Sequence, residues 1–331
     1  MRFLLDDAQR DFARSLDAML TAAGTPAAVR SWAAGDFGPG RRLWARLAEA
    51  GVFALAVPGE HGGVGPLPVE LAVAFTELGR HAVPGPVVET VAAGVLLAGA
   101  GGAAAKEWLP RLASGAASAT LRMDGYGPYA LDADAADAVF TVTDGTLRLA
   151  PGPGVLRPSS DPARRLLCPE PGGESLASGP GVVRAAARAA DWAAFATAAQ
   201  ALGTGEALLR ATVDHVERRS QFGAVIGSFQ AVKHRLSDVL TGLEFSRPLL
   251  YGAALALAEQ APDAGARVAA AKVAAGEAGY AAARAALQLH GAVGYTEELD
   301  LSLWLRKARP LRDAWGTPSA CRALVLSGLG A

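Results

Sequence analysis

The chain has 331 residues, 51% of them hydrophobic, and a formal charge of -1 from 31 basic and 32 acidic residues. This length buries a sizeable core in two or three domains, and the balanced charge argues against a general nucleic-acid or anionic-membrane surface. Cys168 and Cys321 are the only cysteines; far apart and in no ligand-like spacing, they speak against a disulfide framework or a zinc site and suit a reducing cytoplasm.

The opening MRFLLDDAQRDFARSL is charged early and lacks the long apolar stretch of a signal peptide, so a cytoplasmic protein is expected. Over residues 4–24, Leu5, Phe12, Leu16 and Leu20 recur at helical spacing, with acidic residues near the start where they complement the helix dipole. Next, RRLWARLAEAGVFALAVPGEHGGVGPLPVELAVAFTELGRH reads as a helix, a Gly- and Pro-rich loop and a second helix. Beyond Pro84 and Pro86 a helical stretch runs to about Ala100. Its window VETVAAGVLLAGAGGAAA is Gly-interrupted and too poor in strongly apolar residues for a membrane span, so a buried helix is expected. KEWLPRLASG forms a short helix closed by Gly115. Residues 1–115 are thus expected to be an N-terminal helical domain.

From Ala116 the texture changes to short, partly alternating segments joined by Asp-Gly and Pro-Gly turns, which predicts a small β domain over 116–184. In TVTDGTLRL the Asp-Gly pair between two alternating runs predicts a hairpin with its register set by the turn. From Val182 to Pro248 the chain is Ala-rich and almost free of Pro. Helices are expected over Ala186–Arg219, roughly 50 Å long at 1.5 Å per residue, and over about Asp238–Gln260 and Asp263–His290. Residues 185–331 should form a C-terminal four-helix bundle, giving an α+β chain that is mostly α.

Three stretches depart from simple helical patterning: RSQFGAVIGSFQ at 219–230, LQLHGAVGYTEELDLSLWLRKAR at 287–309, and RDAWGTPSACR at 312–322. Arg219 is a fixed cation with a planar fork suited to a diphosphate, and the Gln221 and Gln230 amides both donate and accept. Phe222 adds a ring. Gly223 and Gly227 end one helix and release the chain before the next starts near Ser228. From the residues alone, Arg218 and Arg219 read first as cations favoured at a helix C-terminus, and His290 as a hydrogen-bonded helix-end histidine.

The order of a helical domain, a small β domain and a bundle, with RSQFGAVIGSFQ and LQLHGAVGYTEE, resembles the acyl-CoA dehydrogenase family over essentially the whole chain. The two C-terminal motifs are the most specific part of the match. The resemblance implies FAD bound between subunits, an acyl-CoA thioester oxidised to its α,β-enoyl form, and an electron-transfer partner. In the family a glutamate takes the α proton while hydride leaves the β carbon for flavin N5. Arg219, Gln221, Phe222 and Gln230 match positions that reach an FAD held chiefly by a neighbouring subunit. Gln288 matches an FAD-contacting glutamine. Gly291 and Ala292 stand where the family more often has two glycines, so the Ala292 methyl intrudes where backbone would approach a diphosphate. Thr317 completes the late Gly-Thr pair.

The family's common branch places its glutamate base directly before that pair, and here the position is Trp315. A minority branch carries the base on the long helix at a spacing from Phe222 that falls near Ala193. Asp191, two residues away and about 200° around a helix, is expected to face elsewhere. ATLRMDGYGPYALD also lacks the family's Thr-Glu-Pro type stretch. Together these departures imply a related but degenerate subunit that works with a catalytic acyl-CoA dehydrogenase chain, in an α2β2 assembly typified by actinobacterial enzymes of steroid side-chain thioesters. The alternatives are a self-sufficient homo-oligomer acting on an acyl-CoA or acyl-carrier-protein thioester, with its base relocated to Asp191, Asp161, Glu244 or Glu297, and a flavin-free scaffold. Of these carboxylates Glu244 is expected to pair with Arg247 on its helix surface.

Overall fold

The structure, a computed structural model, describes residues 4–329. Its first helix, α1 (Asp7–Ala22), begins with reciprocal capping. The Asp6 carboxylate accepts from the Gln9 N–H, and the Gln9 side chain accepts from the Asp6 N–H. Gly24, in the left-handed region at φ 63°, ends that run, and a separate helix α2 (Thr25–Ala33) starts with a proline in its first turn. The helix expected over residues 4–24 is thus α1, and α2 is a further helix that the hydrophobic spacing did not announce. Helices α3 (Gly38–Glu49), α4 (Pro68–Arg80), α5 (Val87–Ala100) and α6 (Gly102–Ala113) complete the N-terminal part. Every residue of α5 from Val87 to Leu97 is buried, Glu89 included, so the apolar window is a core helix. No helix among the described residues is long and apolar enough to cross a membrane.

Seven short strands follow: β1 (Ala119–Met123), β2 (Ala130–Leu131), β3 (Ala138–Thr143), β4 (Thr146–Leu149), β5 (Val155–Arg157), β6 (Leu166–Cys168) and β7 (Glu174–Ser178). They form two sheets, in the orders β1-β3-β4-β7 and β2-β6-β5. The β3–β4 hairpin turns at Asp144 and Gly145, with φ of 49° and 67°. This is the two-residue, positive-φ turn that Asp-Gly favours. The parallel pairing of β1 with β3 links segments separated by β2, and alternation alone does not announce it.

The bundle is built on α7 (Pro180–Arg218), a helix of 39 residues. It starts at Pro180 rather than at Ala186, because Gly179 breaks the chain at φ 98° and Pro180 occupies the first turn. Helices α8 (Gln230–Ala258), α9 (Ala264–His290) and α10 (Leu301–Asp313) pack against it, and α11 (Pro318–Leu329) packs on α9. The start of α8 at Gln230 agrees with the one expected near Ser228 from the glycines; the bound at Asp238 fell late because the first turns are mostly exposed and polar and no apolar periodicity marks them.

Small residues bring α7 close to its neighbours. A Cβ on Gly203 would lie 1.9 Å from the Thr76 carbonyl oxygen of α4, and one on Gly279 would lie 2.6 Å from the Ala201 oxygen. Any side chain at Gly203 therefore forces the helices apart. Gly203→Val is expected to cost about 2–3 kcal/mol and to lower the melting temperature by roughly 5–10 °C, whereas Gly252→Ala, which meets nothing within 4 Å, should leave it nearly unchanged.

Candidate functional site

The turn between α10 and α11 carries the residues that replace the expected base. Ala314 is extended, Trp315 sits in the left-handed region at φ 54° and Gly316 at φ 132°. A non-glycine residue in that region stores strain and needs its surroundings to hold it there. Two contacts do so. The Trp315 indole Nε1 donates to Glu89 Oε1 of α5 at 3.0 Å. From α9, Lys272 Nζ donates to the carbonyls of Leu311 at 3.0 Å, Arg312 at 2.9 Å and Gly316 at 3.2 Å. Lys272 is only 1% exposed, and burial pulls its ammonium down to about 8. Glu89 is fully buried, its second oxygen has no hydrogen-bond partner, and desolvation pushes its carboxyl up.

In front of this turn lies a cavity of about 570 Å³ lined by Tyr126, Asp191, Ala194, Trp315, Gly316 and Thr317, among others. The Tyr126 and Trp315 rings stand 5.3 Å apart. Asp191 was expected to face elsewhere, and the structure corrects this. Ala193, the reference for that angle, is completely buried in the core, whereas Ala190, Asp191 and Ala194 form the face of α7 that lines the cavity. Asp191 also borders a second cavity of about 370 Å³ with Val95, Trp192 and Leu257. Among the described residues it has no cation within salt-bridge distance, and burial alone raises its carboxyl to about 6. The other carboxylates considered as bases are engaged. Asp161 is buried 3.5 Å from Lys307, Glu244 pairs with Arg247 at 3.2 Å as expected, and Glu297 pairs with Arg306.

At the far end of α7 the chain does not simply pass from one helix to the next. After Arg218 it forms a hairpin of β8 (Ser220–Gln221) and β9 (Ala224–Val225), turned at Phe222 and Gly223 with φ of 54° and 77°. Gly227 lies in the short turn of 3-10 helix after it. Arg219, Gln221, Gln230, Gln288, Gly291 and Ala292 are all exposed, and the Phe222 ring is 91% exposed. Arg219 makes no ion pair among the described residues. It lines a cavity of about 560 Å³ with His215, Arg218, His290 and Asp300. The His215 and His290 rings stack at 4.1 Å, and His290 Nδ1 lies 2.8 Å from the Ala286 carbonyl oxygen, the helix-end role expected of it.

The hairpin is thereby brought to the end of α9, beside the segment that carries Gln288, Gly291 and Ala292. Thr317 is not part of this group. Asp191, twelfth residue of α7, and Arg219, just past its C-terminus, are 28 positions apart, roughly 42 Å at 1.5 Å per residue, so the cavity at Trp315 and the hairpin are separate places. An anionic dinucleotide fits each in part: exposed donors and a free cation at the hairpin, a partly aromatic cavity at the turn. Sequence reasoning missed Glu89, Lys272 and Tyr126. A signal existed for two of them. Glu89 is a single charge in an apolar run, and Lys272 shares a helical face with Val268, Ala269, Ala275 and Gly276, all buried.

With this geometry the chain can be placed by comparison. It matches the acyl-CoA dehydrogenase N-terminal domain over residues 6–116 and the acyl-CoA dehydrogenase C-terminal domain over residues 181–329. The acyl-CoA dehydrogenase IpdE2 of Mycobacterium tuberculosis is 36% identical over 298 residues, covering 86% of this chain and 85% of that protein. The chain therefore belongs to the acyl-CoA dehydrogenase family. Its fold is that of butyryl-CoA dehydrogenase from Megasphaera elsdenii, with a TM-score of 0.85 at 21% identity over the full length of both chains. It is also that of a chain in the ChsE4-ChsE5 complex from Mycobacterium tuberculosis, with a TM-score of 0.81 at 23% identity over 100% of this chain and 99% of that one.

The buried state of Asp191 has a pH signature. Its folded value, about 6, lies above the ordinary 3.8, so the native state holds a proton that the unfolded chain has lost across that window. Stability should fall as pH rises from about 4 to 6 and stay lower above it. Asp191→Asn is expected to stabilise the protein by about 1–2 kcal/mol at pH 8 and by almost nothing at pH 4, read from urea unfolding midpoints at both pH values.

Proposed function

We propose that this chain is one subunit of a heteromeric acyl-CoA dehydrogenase, which lends its Arg219 hairpin to an FAD held chiefly by a related catalytic chain. The observation that carries the reading is the separation of about 42 Å between the hairpin and the chain's own cavity. A cation and amide donors so far from that cavity serve a cofactor belonging to another subunit. Arg219 neutralises the diphosphate with charge-assisted hydrogen bonds, Gln221 and Gln230 donate and accept beside it, and Phe222 covers the nucleotide. When bound, FAD would supply the acceptor for the hydride that leaves the β carbon of an acyl-CoA thioester, and the electrons would pass on to an electron-transfer partner. At the chain's own turn the Trp315 indole N–H only donates and accepts no proton, so it cannot act as the base for the α proton. The family membership, the name of the IpdE2 relative and the heteromeric ChsE4-ChsE5 neighbour support this assignment. An α2β2 assembly follows if each catalytic chain takes one hairpin from this one.

One observation favours a second reading, in which the chain is catalytic and Asp191 is its base. Asp191 lines the cavity with Trp315, has no cationic partner, and is raised toward neutrality, as suits a general base. Two variants separate the readings in the complex co-expressed with a related dehydrogenase chain. Arg219→Ala is expected to weaken FAD retention about 10- to 100-fold, the worth of a lost charge-assisted contact, with the fold unchanged by circular dichroism. Asp191→Asn is expected to leave acyl-CoA turnover within about twofold of wild type. A loss of 10²–10⁴-fold, the usual contribution of a base, would establish the second reading instead, and unchanged FAD retention in Arg219→Ala would contradict the first.

A further inference from the structure

The turn at 314–317 holds a strained backbone, and one residue makes most of the contacts that fix it. Lys272 rises from the middle of α9 into a closed space beneath α10 and meets three carbonyl oxygens there. Two of these, from Leu311 and Arg312, lie in the last turn of α10, where carbonyls lack helical partners and a cation is favoured. The third, from Gly316, lies beyond the strained Trp315. A single ammonium thus ties the helix end to the far side of the turn. The packing leaves little freedom for other arrangements: a Cβ on Gly316 would lie 2.6 Å from Cys321 Sγ, and one on Gly276 would lie 3.4 Å from the Arg312 Cα.

No carboxylate among the described residues lies within salt-bridge distance of Lys272. The charged groups facing it are Arg312 and Asp313 of α10 and Arg164 of the β domain, with the Cys321 thiol of α11. An ammonium almost fully buried without a paired anion costs free energy that a residue serving only to fill the core would not. Three aligned carbonyls offset part of that cost.

We infer that Lys272 is a positioning residue, whose three hydrogen bonds set the 311–316 backbone and so hold Trp315 against Glu89 and present Thr317 to the cavity. The inference is independent of the flavin reading, which concerns the Arg219 hairpin and not this turn. Lys272 touches neither cofactor nor substrate, and acts through the turn alone.

Lys272→Met, close in length and without charge or donors, tests the inference. The variant removes the cost of the buried charge but leaves three carbonyl oxygens without their donor, so the melting temperature should fall by several degrees while the protein still folds. Trp315 emission is isolated by subtracting the spectrum of each protein made in a Trp315→Phe background. It should shift to the red by several nanometres as the indole leaves Glu89 for water. In the co-expressed complex, FAD retention should stay within about twofold of wild type, because Arg219 lines a different cavity from this turn. Unchanged Trp315 emission in Lys272→Met would overturn the inference. If the wild-type complex holds no FAD, the proposed function fails, and the emission result still decides the role of Lys272. Lys272→Gln is read in the same way should the Met variant not fold. Failure of both to fold would make Lys272 a general stability residue and overturn its role as a positioning one.

Discussion

The rigidity of α7 is the constraint on which the rest depends. Its 39 residues span roughly 58 Å, and its glycines admit α4 and α9 to backbone contact. A helix so closely flanked cannot bend to bring its ends together. Asp191, its twelfth residue, and Arg219, just past its C-terminus, therefore serve different places, and any cofactor that Arg219 touches lies away from the cavity at Trp315. Helix length separates the two places before any comparison with relatives is made.

At the turn, a tryptophan replaces a carboxylate and changes what the site can do. The Trp315 N–H satisfies one oxygen of a buried glutamate, leaving the other unpartnered; burial favours the neutral acid, and the Trp315 hydrogen bond opposes it only in part. Related contacts join the parts of the chain. Trp32 of α2 donates to Asp132 of the β domain at 3.1 Å, and burial pushes Asp132 up to about 7. Lys307 of α10 faces Asp161. Buried polar groups of this kind add little net stability. Their consequence is orientation: Glu89 meets the Trp315 turn, Asp132 meets α2 and Asp161 meets α10, each through one oxygen.

Much of the architecture was legible in the sequence because it follows from periodicity and punctuation. The Ala-rich stretches gave the long helices, the Asp-Gly pair gave the β3–β4 hairpin, and the carboxylate missing before Gly316 was visible at once. Three features were not legible, each for a physical reason. RSQFG reads as a helix end because a two-residue hairpin needs positive φ at Phe222, which phenylalanine seldom adopts. The β1–β3 pairing is non-local. The direction of Asp191 depended on which face of α7 meets the cavity, and the alanines around it look alike until they are packed. Ala193 is in the core and Ala194 on the cavity wall, a difference that composition does not carry.

The account stands on the claim that this chain completes a flavin site in another subunit. Flavin stoichiometry tests it most directly: absorbance at 450 nm against protein mass, for the chain purified alone and for the chain co-purified with a related catalytic dehydrogenase subunit. The account predicts a colourless protein alone and one FAD per pair of chains in the complex. A yellow protein made alone, with one FAD per chain and turnover of an acyl-CoA, would contradict it.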